Sequence, residues 1–175
     1  MKKIAVVALD PLAGASYTKE VRDLFGEYAE VVGYSVRDGS AAGVLPRADL
    51  FAISTDAYGS AEEEARHVPI DSQIMSIEVT FYWETLKKLF EIPQGTKVLF
   101  VNVTSNMARE AITQLSSLGV NHLQFIPYYP GAVLEETVDI AVTPGESRFV
   151  PPSVKTVIDC DHRPCSYGMM VEIAL

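Results

Sequence analysis

Apolar positions fall into short unbroken runs, separated by stretches in which they recur at helical spacing. Residues 4–9 (IAVVAL) are nearly continuous, the pattern of a strand buried on both faces of a parallel sheet. Over residues 16–29, Tyr17, Val21, Leu24, Phe25 and Tyr28 share one side of a helix. Residues 31–36 (VVGYSV) make a second strand, followed by a Gly/Ser/Ala loop, and residues 49–54 (DLFAIS) a third. The third ends in STDAYGSAEEEARHV, a polar loop running into a short acidic helix with a solvated face. SQIMSIEVTFYWETLKKLF, from Ser72 to Phe90, reads as a long helix. Its first half is rich in β-branched residues and also admits a strand around 74–79. After the turn IPQGTK a second series begins, with strand 98–103, helix 105–118 stopped by Gly119, and strands 122–127, 138–142 and 154–158.

This alternation predicts an α/β protein of two parallel-sheet lobes, without a sharp sequence repeat between the halves. The expected division is a first lobe over 1–75, a crossover helix over 76–94, and a second lobe with a C-terminal helix over 95–175. The terminal stretch SYGMMVEIAL has helical spacing but no Gly, Asn or basic last turn to end it. The expectation is a piece of a longer protein.

The net charge of −9 and a pI near 4.8 leave no basic face to neutralise phosphates, so direct binding of nucleic acid is not expected. Met1-Lys2-Lys3 before IAVVAL faintly imitates a signal peptide, but the apolar run is short and breaks at Asp10-Pro11. No apolar stretch approaches a membrane span. Two cysteines are too few to staple a chain of 175 residues, and a cytoplasmic protein is expected.

In open α/β sheets, ligands gather beyond the carboxyl ends of the strands. The segment VLFVNVTSNMARE (98–110) is a buried strand that stops and turns directly into a helix. Thr104, Ser105 and Asn106 there offer short polar side chains and free backbone N–H groups, which suit either a helix cap or a polar ligand. Equivalent positions are Asp10 after the first strand, Ser54, Thr55 and Asp56 after the third, Tyr128 and Tyr129, and Thr143-Pro144-Gly145. Converging on one cleft, these hydroxyls, amides and tyrosines would bind a small polar molecule. Arg109, one turn into the helix, is the nearest fixed positive charge. A monocarboxylate or neutral metabolite fits better than a highly charged anion.

Other chemistries are less well provided for. DCDHRPC (159–165) offers Asp159, Cys160, Asp161, His162 and Cys165 as metal ligands, but lacks the distant second pair that structural zinc sites use. Cys165 near a helix start would have a lowered pKa, and with His162 it could serve a cysteine-dependent enzyme. A racemase using one cysteine from each lobe lacks its first partner, since both cysteines fall in the second half. A phosphoacceptor receiver domain would need an aspartate where Ser54 stands and an acidic companion beside Asp10. The first strand is followed by DPLAGAS, without a glycine pattern for nucleotide phosphates. No cofactor and no metal are expected.

The segment VDIAVTPGESRFVPPSVKTVIDCDHRPCSYGMMVEIAL resembles the end of a bacterial sensory domain that precedes PAS, ATPase and helix-turn-helix modules in sigma-54-dependent transcriptional activators. VPIDSQIMSIEVTFYWETLKKL leading to GTKVLFVNVTSN has the order of the related N-terminal domain of propionate-catabolism activators. The resemblance covers most of the chain from about residue 50. It implies two flavodoxin-like lobes with a strand and a long helix crossing between them, closing on a small-molecule effector and relaying closure to downstream modules. It also implies effector contacts from Thr104, Ser105 and Asn106 in one lobe, Ser54 and Asp56 in the other, and Glu78 and Tyr82 on the crossover. Dimerisation through an apolar helix face would suit such a regulator. DCDHRPC departs from the inert residues expected there.

Overall fold

The computed structural model describes residues 1–175. Its strands are β1 (Lys2–Ala8), β2 (Ala29–Ser35), β3 (Leu50–Ser54), β4 (Ile74–Ile77), β5 (Lys97–Val101), β6 (Gln124–Tyr128), β7 (Ile140–Thr143) and β8 (Thr156–Asp159). The helices are α1 (Pro11–Phe25), α2 (Ala61–His67), α3 (Trp83–Phe90), α4 (Ser105–Ser117) and α5 (Tyr167–Ala174), with a 3-10 turn at Ser147–Phe149 between β7 and β8. The strands form two four-stranded sheets, ordered β2-β1-β3-β4 and β6-β5-β7-β8, in which every pairing is parallel. Both follow the flavodoxin-like order, in which the chain starts inside the sheet, steps to one edge and returns to build the other.

The continuous apolar runs predicted for buried strands have this cause. In β5, Val98 and Phe100 join one apolar cluster with Leu86, Leu89, Ala111 and Leu115, while Leu99 and Val101 face a second with Val138 and Ala141. In β1, Ile4 and Val6 pack with Val21 and Met169, and Ala5 and Val7 with Phe51 and Leu45. Each sheet is covered on both faces, so neither face of its central strand tolerates a polar side chain. Burying a residue such as Val98 or Leu99, each fully inaccessible, stabilises its sheet by about 1.5–3 kcal/mol.

The chain divides into two compact units, Met1–Val79 with Pro164–Leu175, and Thr80–Arg163. These boundaries differ from the sequence expectation at both crossings. The expected crossover helix over 76–94 is an extended segment followed by the shorter α3, which packs Leu86 and Leu89 into the second unit. Ile74, Ile77, Val79 and Thr80 are β-branched, and they go into β4 and the strand-like residues after it. Likewise α5 does not belong with the second unit. Met169, at 1% exposure, and its neighbours Met170 and Ile173 pack on Ile4, Val6 and Val31 of the first.

The first helix begins at Pro11, earlier than its apolar spacing indicates. Asp10 caps it by accepting the N–H groups of Leu12 and Ala13 at 3.0 and 3.1 Å, and Pro11 occupies the first turn, where its missing N–H costs nothing. Gly33 on β2 lets α1 lie close, because Thr18 occupies the space a side chain would need. The acidic helix α2 has no buried residue, consistent with a solvated face, and is capped by Ser60.

Candidate functional site

Each sheet brings its polar turns to the carboxyl ends of its strands. In the first unit, β1 and β3 are neighbours, with Val7 opposite Ile53, so Asp10 and the Ser54–Asp56 turn follow adjacent strands at one end of the sheet. Asp10 is committed to capping α1, with its other oxygen 3.8 Å from Arg37. The Ser54 hydroxyl donates to the Asp56 carboxylate, and Thr55 between them is exposed. A cavity of about 320 Å³ opens elsewhere, on the β2 side, between α1 and β2, lined by Gly14, Thr18, Arg22, Gly33 and Ser35. Arg22 donates to the Val31 carbonyl on that edge strand.

In the second unit, β5 lies between β6 and β7, and the residues following all three were singled out from the sequence. Thr104 is the N-cap of α4, its hydroxyl accepting the Met107 N–H at 3.2 Å. Arg109 folds back so that its Nε donates to Ser105 Oγ at 3.2 Å, which places a cation at the turn. Asn106 is exposed. Thr104 therefore serves its own helix, while Ser105, Asn106 and Arg109 present the polar surface. Tyr128 is half-buried, packs beside Leu99 and Val101, and accepts the Asn102 N–H through its carbonyl.

Thr143, expected to contact ligand, is fully buried. Its hydroxyl donates to the Val101 carbonyl at 2.9 Å and accepts the Glu146 N–H at 3.0 Å, so it ties β7 to β5 and holds the turn that follows. Glu78 and Tyr82 are parted by the unit boundary. Glu78, in the first unit, accepts the Ser166 N–H through its carbonyl at 2.8 Å, with its carboxylate 3.5 Å from the Ser166 hydroxyl. Tyr82, in the second, precedes α3 and meets the His162 ring edge-on at 6.4 Å.

Two polar residues at the second sheet's carboxyl end take structural roles that the sequence reading does not give them. Asn102 is 2% exposed, and its side-chain carbonyl accepts the Val103 N–H at 2.8 Å, shaping the exit from β5. Its signal was plain, a single amide interrupting an apolar run. Asp159, weighed only as a metal ligand, accepts from the Gly145 N–H, the Ser147 hydroxyl and the Asp161 N–H at 2.7–3.0 Å. It stitches the loop after β7 to the end of β8.

The segment 159–165 does not form one cluster. The Cys160 thiol donates to the Thr143 carbonyl, Asp159 is engaged by the loop, and Arg163 turns to α4. No three His, Cys, Asp or Glu side chains come together in a way that could hold a metal ion. The expected lowering of the Cys165 pKa is reversed. Burial, and then the Glu20 carboxylate beside it, push the thiol up to about 12. Cys165 precedes the cap residue Ser166, so it lies outside the first turn of α5, among apolar side chains. Burial and the neighbouring Asp159 charge likewise push Cys160 up to about 12. No helix is long and apolar enough to cross a membrane.

No family model, curated protein or solved structure matches the chain.

Proposed function

We propose that the chain is the small-molecule effector-binding sensory domain of a bacterial, cytoplasmic sigma-54-dependent transcriptional regulator, signalling by ligand-dependent lobe closure to downstream modules. The observation that carries this reading is the turn after β5. There a parallel strand hands over to α4, and Ser105, Asn106 and Arg109 stand together at the helix start. Backbone N–H groups, a hydroxyl and one guanidinium suit a single carboxylate, and a monocarboxylate is the effector class proposed. The doubled flavodoxin-like strand order, with the chain passing twice from one unit to the other, also supports a sensor. A ligand shifts such a protein only by its differential affinity for two states.

The competing reading is a cysteine-dependent enzyme using Cys165 and His162. It is weakened by a Cys165 thiol pushed up to about 12, because the thiolate is the nucleophile. Thermal stabilisation across a library of monocarboxylates, sugars and acyl compounds tests the proposal. A hit is expected that weakens with Ser105→Ala, Asn106→Ala and Arg109→Ala. A hit indifferent to all three removes the site, and turnover lost with Cys165→Ser reinstates the enzyme.

A further inference from the structure

Arg163 is the last residue of the second unit, and Pro164 begins the returning segment of the first. The Arg163 side chain is only 12% exposed. Its Nη1 donates to Glu110 Oε1 at 3.2 Å and Gln114 Oε1 at 3.0 Å, and its Nη2 to Glu110 Oε2 at 2.9 Å. The guanidinium also lies 5.6 Å from the Phe81 ring centroid. A planar fork holding both oxygens of one carboxylate fixes direction as well as distance, which a lysine does not. Glu110 and Gln114 are one turn apart on the same face of α4, so the grip is on the body of that helix.

The far side of Pro164 is anchored as firmly. The Cys165 N–H donates to Glu20 Oε2 on α1 at 2.8 Å, and Cys165 forms an antiparallel bridge with Val79. The Ser166 N–H donates to the Glu78 carbonyl at 2.8 Å, and the Ser166 hydroxyl caps α5 by accepting the Met169 N–H at 3.1 Å. One residue, a proline of fixed φ, therefore separates an anchor on α4 from an anchor on α1 and the α5 cap. Three consecutive Cα atoms span at most roughly 7 Å, so this link has no slack to absorb a shift at one end.

We infer that Arg163-Pro164-Cys165 is a mechanical relay in which Arg163, as a positioning residue, makes the ordering of α5 depend on the placement of α4. Because α4 starts at the Thr104–Asn106 turn, the relay would carry an effector signal to the C-terminal helix, and that meaning rests on the sensory reading above. The relay itself does not.

Hydrogen exchange of the α5 amides in the full chain, without ligand, tests it. Arg163→Met is expected to speed α5 exchange about fivefold or more, with Arg163→Lys intermediate. With two glycines inserted after Pro164, both anchors remain but the link is slack, and Arg163→Met should then leave α5 exchange unchanged. Unchanged α5 exchange alongside faster α4 exchange would reduce Arg163 to a local contact and overturn the relay. Equal acceleration with and without the glycines would overturn it too. If Arg163→Met fails to fold, Glu110→Gln at the more exposed end of the pair carries the same comparison. No ligand enters, so failure here leaves the effector proposal standing, and failure to find an effector leaves this result intact.

Discussion

Gly33 on β2 lies so close to Thr18 on α1 that a Cβ there would stand 2.4 Å from the threonine Oγ1. That hydroxyl is fixed by donating to the Gly14 carbonyl at 2.7 Å, so it cannot swing aside freely. Gly33→Ala should therefore destabilise by about 1–3 kcal/mol through overpacking. Adding Thr18→Ala should recover most of that loss. Urea denaturation of the two single variants and the double variant gives the coupling directly, and additive losses would mean that the helix simply moves away.

At the start of α4 the two roles, cap and contact, fall to different residues. Thr104→Ala should cost about 1 kcal/mol of stability with no ligand present, since it removes an N-cap acceptor. Asn106→Ala, an exposed change, should stay within about 0.5 kcal/mol. Denaturation midpoints of the free protein check both, and a large loss at Asn106 would show it to be structural.

Alkaline pH should weaken the protein through its thiols. Cys160 and Cys165 are held protonated in the folded state up to about 12, against 9.0 for an unperturbed thiol. Below about 9 neither state ionises them and their contribution is constant. Between those values the unfolded chain releases protons that the folded one keeps, so unfolding becomes easier as pH rises. The slope approaches about 1.4 kcal/mol per pH unit for each thiol. Denaturation at rising pH, compared with Cys160→Ala and Cys165→Ala, isolates this part from lysine and tyrosine titration. Parallel curves for all three proteins would contradict the burial.

Trp83 is the one tryptophan in the chain, and it is 65% exposed at the start of α3. Its native fluorescence should be quenched by acrylamide almost as readily as after unfolding. Trp83→Phe should change stability by no more than about 0.5 kcal/mol, since the ring's aromatic neighbour Phe90 is itself partly exposed. Strong protection of the native indole would show that α3 is covered in solution.

The alternation of strands and helices was legible because strands such as IAVVAL and VLFV are buried on both faces and so become unbroken apolar runs. The start of α1 is written in Asp10-Pro11, a cap followed by a first-turn proline, and not in the apolar spacing, which begins only at Tyr17. The stretch from Ser72 to Phe90 mixes residues suited to either state, and β-branching in its first half favours extension. At the candidate site, Thr104 through Asn106 were legible as a strand-to-helix turn. The burial of Thr143 was not, because a threonine at a strand end looks the same whether its hydroxyl faces solvent or braces the neighbouring strand. The allegiance of α5 leaves no local trace either, since the bond from Cys165 to Glu20 joins positions 145 apart.

The return of the chain to the first unit at Pro164 has a consequence for biosynthesis. Domains generally mature in the order in which they leave the ribosome. Here the inner unit is fully translated at Arg163, while the outer one still lacks Met169, a core plug made only a few residues later. The first unit must wait, with part of its apolar interior unfilled, for the segment after Pro164 to emerge. A nascent chain stalled just short of it would expose that gap to chaperones and proteases.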